Sequence, residues 1–132
     1  QYNHIFEIGM NAGHSAAINL ELFPNIKVTS LDIGKYWYTK VAGETLKERF
    51  AGRFDYHIRD SVAFHEMVRD GRLEIPKVDV VFIDGGHSLD AALTDWRSVG
   101  HRVLPGGILA IHDVFPDAST GGQAPLYREN RR

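Results

Sequence analysis

The sequence contains no cysteine, which excludes disulfide bonds and thiolate metal ligands. It has no apolar run long enough to span a membrane, and its amino end lacks the charged-then-apolar pattern of a signal peptide. It also lacks a strong excess of either charge: the formal net charge is −2, so nothing favours binding to nucleic acid or to an acidic membrane surface. We therefore predict a cytoplasmic protein that binds neither nucleic acids nor membranes.

The chain is long enough for one domain with a real core. Its 132 residues are 43% hydrophobic and 24% charged, which is ordinary globular composition. It begins with Gln1 rather than Met, and the first predicted strand follows within a few residues. We expect a single domain over residues 1–132 that is truncated or incomplete at its termini. A second copy could supply what is missing, which leaves a homo-oligomer open.

Short apolar and β-branched runs alternate with segments of helical spacing. The runs predict strands at residues 4–8, 26–31, 54–58, 78–83 and 108–111. Helices are predicted from about residue 15 to 22, around residues 41–50 (where Gly43 weakens the pattern), from about 62 to Gly71, and over 88–103. Residues 104–107, Leu-Pro-Gly-Gly, read as a turn, and Leu93 and Trp96 read as core positions. This alternation predicts an α/β fold with a doubly wound, mainly parallel sheet.

A glycine turn, with Gly9 and Gly13, joins the first strand to the first helix. Glycines there let the backbone approach a ligand, and the helix start supplies N–H groups. The spacing is not that of a dinucleotide-binding loop, because Asn11 replaces the second glycine, and no phosphate loop follows. A tight turn without a ligand stays open as an alternative.

Acidic residues end the next two strands. Asp32 lies 19 residues after Gly13, close to the spacing at which an acid binds ribose hydroxyls in nucleotide-binding folds. Helix capping or a turn role is the alternative, and for Asp60 with Ser61 capping is favoured. The aromatic residues Tyr36, Trp37 and Tyr38 follow the second strand and either cover a ligand or pack on the surface.

Polar residues also follow the fourth and fifth strands. Because parallel strands end at one edge of the sheet, Asp84 and Asp113 can meet there, and magnesium accepts one or two carboxylates. In the alternative, Asp84 contacts only an organic ligand, while His112 and Asp113 close a turn. His87 stands three residues after Asp84, and a histidine can accept a hydroxyl proton near neutral pH. A helix-start histidine is the other interpretation.

These motifs, in this order, resemble those of class I S-adenosyl-L-methionine-dependent methyltransferases. The likeness is strongest to the metal-dependent small-molecule O-methyltransferases, and it covers residues 5 to about 114. The residues that carry it are Glu7-Ile-Gly9-Met-Asn-Ala-Gly13-His-Ser15, Asp32, Asp60-Ser61, Asp84-Gly-Gly-His87, Leu104-Pro-Gly-Gly107 and His112-Asp113. The resemblance implies a Rossmann-like methyltransferase sheet, here without the last two strands of the usual seven.

The resemblance also implies which residues surround the cofactor. Gly9 and Gly13 would line its methionine part, with Ser15 near the carboxylate and Glu7 supporting the turn from beneath. Asp32 would hold the ribose. Three residues would contact the adenine, namely Ile33 on its face and Asp60 and Ser61 beside its amine. Asp84 would instead orient the amine of the cofactor.

A divalent metal, Mg²⁺ or Mn²⁺, is implied as a second cofactor, with Asp84, His112 and Asp113 as ligands and His87 as the catalytic base. His112 departs from the relatives, which carry a carboxylate there, and an imidazole suits manganese, iron or zinc better than magnesium. The expected function is methyl transfer to a hydroxyl of a small molecule, a sugar or a natural product. Two alternatives stay open: a metal-dependent hydrolase or hydroxylase on the same scaffold, and a non-catalytic cofactor-binding remnant.

Overall fold

The structure, a computed structural model, describes residues 2–112. Asp113, predicted as a metal ligand, lies outside the described residues. Within residues 2–112, no helix has the length and hydropathy that crossing a membrane requires.

Five parallel strands form one sheet in the order β3-β2-β1-β4-β5. The doubly wound sheet predicted from the sequence is confirmed. Along the chain the elements are β1 (His4–Ile8), α1 (His14–Leu22), β2 (Lys27–Asp32), α2 (Trp37–Arg49), β3 (Phe54–Ile58), α3 (Ser61–Arg69), β4 (Val78–Ile83), α4 (Leu89–Val99), a 3₁₀ turn (Gly100–Arg102) and β5 (Val103–Ile111).

Each face of the sheet carries its own hydrophobic core. Neighbouring residues of β1 point to opposite faces, as in any strand, so Ile5 joins the core under α1 and α2 while Phe6 joins the core under α3 and α4. The Phe6 ring is fully buried and packs against Phe64 of α3, with ring centroids 5.9 Å apart. Burial on both faces explains why β1 is apolar in sequence apart from His4 and Glu7.

The start of the fifth strand was predicted wrongly. β5 begins at Val103, and the predicted turn at residues 104–107 lies inside it. Val78 pairs with Val103 whereas Val80 pairs with Ile108, so the extra residues of β5 form an irregular bulge, with Gly106 at φ 81°. Proline and glycine are turn signals in sequence, but a bulge accommodates both because it interrupts the ladder of hydrogen bonds.

The fourth helix is shorter than predicted, because it ends at Val99 and a 3₁₀ turn follows. Trp96 is 45% exposed rather than a core residue. Its indole lies along the end of its own helix, where a Cβ on Gly100 would be 2.7 Å from its Cδ1 atom. Asp95 takes the buried position beside it, which the apolar pattern did not predict.

Gly43 does not interrupt α2, although it was expected to weaken it. A Cβ on Gly43 would lie 2.5 Å from the Cε2 atom of Tyr56, so the tyrosine ring packs directly on the helix backbone. The Tyr56 hydroxyl donates a hydrogen bond of 2.6 Å to Glu44 on the next position of α2. The glycine therefore permits the close approach of α2 to β3.

We predict that Gly43→Ala destabilises the protein by about 1–2 kcal/mol, because overlap with the Tyr56 ring outweighs the roughly 1 kcal/mol gained in helix propensity. In a Tyr56→Ala background the ring is absent, and the same substitution should instead stabilise by about 1 kcal/mol. Urea unfolding of the four proteins measures both effects. Equal effects of Gly43→Ala in the two backgrounds would contradict the conclusion that the Tyr56 ring requires a glycine at position 43.

Candidate functional site

A cleft of about 570 Å³ opens at the carboxyl ends of β1, β2 and β4. In doubly wound sheets this edge is where ligands bind. His87 lies on its rim. Of the predicted cofactor-binding residues, six line this one cleft: Gly9, Asp32, Ile33, Asp60, Ser61 and Asp84. The structure therefore brings residues from four successive strand ends to a single cavity.

Gly9 is required by the way the chain passes between the neighbouring strands. Its φ is 98°, and a Cβ would lie 2.0 Å from the carbonyl oxygen of Asp84. The Gly9 N–H donates to the Leu31 carbonyl and the Asp84 N–H donates to the Ile8 carbonyl, both at 2.8 Å. The turn after β1 is thus fastened to β2 on one side and to β4 on the other, and no side chain fits there.

Gly13 and Ser15 are not among the residues that line the cleft. Gly13 precedes α1 with φ 77°, and a Cβ on it would lie 2.6 Å from Leu46 of α2, so it permits close packing of the two helices. The Ser15 hydroxyl donates to the Glu7 carboxylate at 2.5 Å. In this structure both residues support the turn from behind rather than face the cavity.

Glu7 is a buried acid at the centre of this support, with 2% of its surface exposed. Its second carboxylate oxygen accepts a hydrogen bond of 2.6 Å from Ser30 of β2, so it ties β1 to β2 and, through Ser15, to α1. Burial raises the pKa of Glu7, the two hydroxyl donors oppose that effect, and the charges of Asp32 and Asp84 add to it.

Asp32 holds the two loops that border the cleft. Its carboxylate accepts hydrogen bonds from the N–H of Asn11, at 2.8 Å, and of Gly34, at 2.7 Å. Asp32 therefore does stabilise a turn, which was one interpretation of the sequence. Each of its carboxylate oxygens still has a second lone pair that a ligand can use. Asn11 itself has φ 51°, a conformation that asparagine tolerates better than most residues, so it can stand where dinucleotide-binding loops carry a glycine.

Asp60 caps α3, as the favoured interpretation held. One of its oxygens accepts hydrogen bonds from the N–H groups of Val62, at 2.9 Å, and Ala63, at 3.3 Å. This contact fixes the start of α3 at the cleft, with Ser61 beside it. Capping and a place in the cleft wall are thus both true of Asp60.

Asp84 and His112 meet at the ends of β4 and β5, with 3.1 Å between the Asp84 Oδ1 and His112 Nδ1 atoms. A small crevice, of a volume that holds about one water, adjoins them, and His87 borders both this crevice and the main cleft. Within residues 2–112 no three histidine, cysteine or acidic side chains converge as metal ligands. Two of the three predicted ligands are therefore neighbours, and the third, Asp113, is outside the described residues.

Other cleft residues had weaker signals in the sequence or none. Tyr36 lines the cleft and stacks on Tyr38 at 5.2 Å between ring centroids, whereas Trp37 is 83% exposed. Lys35 and Arg59 add positive charge beside the strand-end acids. Lys35 follows Asp32 by three residues and Arg59 directly precedes Asp60, so the sequence could have suggested this. Asp95, in the middle of α4, was not predicted.

Comparison with known proteins identifies similar chains. A family model described as a methyltransferase domain matches residues 6–114. Among solved structures, the fold resembles the MycE methyltransferase of the mycinamycin biosynthetic pathway, solved with Mg, S-adenosylhomocysteine and mycinamycin VI (21% identity over 92% of this chain and 30% of that chain, TM-score 0.66). It also resembles the S-adenosylmethionine-dependent methyltransferase SibL (23% identity, 98% and 36% coverage, TM-score 0.60).

Human methyltransferase-like protein 13, solved with S-adenosylhomocysteine, is a third neighbour, at 18% identity, 83% coverage of this chain and a TM-score of 0.61. The chain covers 53% of that protein, so it spans about a third to a half of the length of these three structures.

We predict that Glu7 makes the protein less stable as pH rises. A carboxyl with a raised pKa holds its proton more tightly in the folded state, so stability is lost between its ordinary pKa and the raised one. The free energies of unfolding of wild type and Glu7→Gln should be similar at acid pH. Toward neutral pH, that of wild type should become the lower of the two. Denaturant titrations across pH measure this. The prediction would be contradicted if wild type became more stable relative to Glu7→Gln as pH rises.

Proposed function

The chain belongs to the methyltransferase-domain family, and from this premise we propose that it transfers a methyl group from S-adenosylmethionine to a hydroxyl of a small molecule. The observation that carries the proposal is the single cleft that collects the predicted glycine, ribose, adenine and base residues. Separate cavities for these residues would give no such support, because methyl transfer requires both reactants in one place.

The cleft has the chemical features that this cofactor needs. Asp32, Asp60 and Asp84 bring carboxylates to it, and negative charge favours the positive sulfonium group of the cofactor. Ile33 is 62% exposed at the cleft, so a purine ring that covers it would bury apolar surface now in contact with water. Asp32 keeps lone pairs for the ribose hydroxyls after binding two backbone N–H groups.

In the proposed reaction the hydroxyl oxygen of the acceptor attacks the methyl carbon as the carbon–sulfur bond breaks. The bonding electrons return to sulfur, which becomes the neutral thioether of S-adenosylhomocysteine. His87 takes the proton of the hydroxyl, since it borders both the main cleft and the crevice at Asp84 and His112. The rest of the protein positions the two reactants in line.

A divalent metal is part of the proposal, with Asp84, His112 and Asp113 as its ligands. The adjacency of a carboxylate and an imidazole at the ends of β4 and β5 supports this donor set, which favours manganese over magnesium. When bound, the ion would orient the acceptor and make its hydroxyl more acidic.

The acceptor class rests on likeness alone. We propose a hydroxylated natural product or a sugar as the acceptor, and MycE, whose structure contains mycinamycin VI from a biosynthetic pathway, supports the natural product. Tyr36, which lines the cleft just before α2, offers aromatic surface there, which suits such a molecule.

We predict that S-adenosylhomocysteine binds with a dissociation constant of about micromolar size, and that Asp32→Ala weakens it at least tenfold, roughly 1.4 kcal/mol. The variant loses the ribose contact and also releases the Asn11 and Gly34 loops. Isothermal titration calorimetry measures the affinity. Asp55→Ala is the matched control, because Asp55 is an acid on β3 that pairs with Lys47 away from the cleft. Equal affinity of wild type and Asp32→Ala would count against the site.

His87→Gln should lower turnover by about 10²–10⁴-fold, the usual contribution of a general base. Its affinity for S-adenosylhomocysteine should stay within about twofold of wild type, because the base acts on the acceptor. Transfer of labelled methyl groups to a panel of catechols and hydroxylated sugars, with Mn²⁺ present, supplies the rates. His101→Gln, at an exposed position of the 3₁₀ turn, is the control. A His87→Gln protein with wild-type turnover would remove the base from the mechanism.

A further inference from the structure

Two cations, Lys35 and Arg59, line the cleft from two different loops. The loops touch each other there, because a Cβ on Gly34 would lie 2.5 Å from the Cγ2 atom of Ile58, and each of these residues adjoins one of the cations. The Arg59 N–H also donates to the Asp32 carbonyl at 2.8 Å, which fixes the second loop to the end of β2. The fold therefore brings an ammonium and a guanidinium group to the same part of the cavity.

Neither cation pairs with an acid within residues 2–112. The acids closest to them in sequence accept backbone N–H groups instead, Asp32 from its two loops and Asp60 from the first turn of α3. The Lys35 ammonium lies over the Tyr36 ring, 5.4 Å from its centroid, and a ring contact leaves hydrogen-bond donors for a ligand. Both cationic side chains are exposed, so a molecule in the cleft can reach them.

The proposed cofactor does not account for two cations. S-adenosylmethionine carries a sulfonium and an ammonium group against one carboxylate, so its net charge is positive, and further positive charge in the cleft weakens its binding. A guanidinium beside an ammonium is instead the donor set that binds carboxylate and phosphate oxygens. The other reactant, the acceptor, is therefore the molecule that can supply the anion.

We propose that Lys35 and Arg59 form an anion subsite for the acceptor, and that the acceptor is a hydroxylated molecule with a carboxylate or phosphate at its far end. This inference rests on the proposed function and adds the charge and the length of its substrate. Neighbouring strands lie about 4.8 Å apart and β1 separates β2 from β4, so the strand ends that precede Lys35 and His87 are about 10 Å apart. The anionic group of the acceptor should lie about that far from the hydroxyl that His87 deprotonates.

The test measures the binding of matched probe pairs to protein saturated with S-adenosylhomocysteine. In the first pair, 3,4-dihydroxycinnamate carries a carboxylate at the end opposite its hydroxyls, and its methyl ester lacks that charge. The second pair is glucose 6-phosphate and glucose. In calorimetry, wild type should prefer the charged member of at least one pair by about three- to tenfold, the effect of two exposed ion pairs. The pair that shows the preference identifies the anion as a carboxylate or a phosphate.

The double variant Lys35→Gln/Arg59→Gln should bind both members of that pair equally, while its affinity for S-adenosylhomocysteine stays within about twofold of wild type. Lys40→Gln/Arg97→Gln is the matched control, because it removes the same two charges from exposed positions outside the cleft lining, and it should keep the preference. Salt at about 1 M should also reduce the preference of wild type, because the Debye length falls to about 3 Å.

The outcomes separate the inference from the function on which it rests. A wild type that binds the charged and uncharged members of both pairs equally, or binds none of the four probes, would overturn the inference. A double variant that keeps the preference would overturn it too. So would a double variant with weakened binding of S-adenosylhomocysteine, because the cations would then hold the carboxylate of the cofactor. A wild type that does not bind S-adenosylhomocysteine would overturn the proposed function itself.

Discussion

The contact between Gly9 and the main chain of Asp84 is the constraint on which the rest of the site depends. A turn without a side chain lets the end of β1 lie directly against the end of β4, and paired backbone hydrogen bonds fasten it to β2 and β4. Because the strand ends are this close, an acid after β2 and an acid after β4 border the same cavity. The chemistry proposed for the chain follows from that proximity.

The site concentrates acids and stabilises them in different ways. Glu7 lies beneath the turn, where two serine hydroxyls satisfy it. Asp32 accepts hydrogen bonds from the backbone of the two loops at the cleft, and Asp60 from the backbone of the first turn of α3, so these acids shape the cleft as well as line it. Asp95 alone among these four has a buried oxygen without a donor in residues 2–112. The first three acids therefore have their donors within the described residues.

Much of this architecture could be predicted from the sequence, since strands buried on both faces and helices with one apolar side leave periodic patterns. The strand-end acids were predictable because parallel strands end at one edge. Long-range packing was not: Gly13 and Gly43 are glycines because Leu46 and Tyr56 approach them, and neither neighbour is adjacent in sequence. The β5 bulge was missed because Pro-Gly-Gly carries the same local signal in a bulge as in a turn.

The most direct test is a crystal structure of the chain grown with S-adenosylhomocysteine and Mn²⁺. The account predicts one ligand in the cleft, with its ribose hydroxyls on Asp32, its adenine between Ile33 and the loop of Gly85 and Gly86, and the ion beside Asp84 and His112. A ligand bound away from Asp32 and Asp84 would contradict the account.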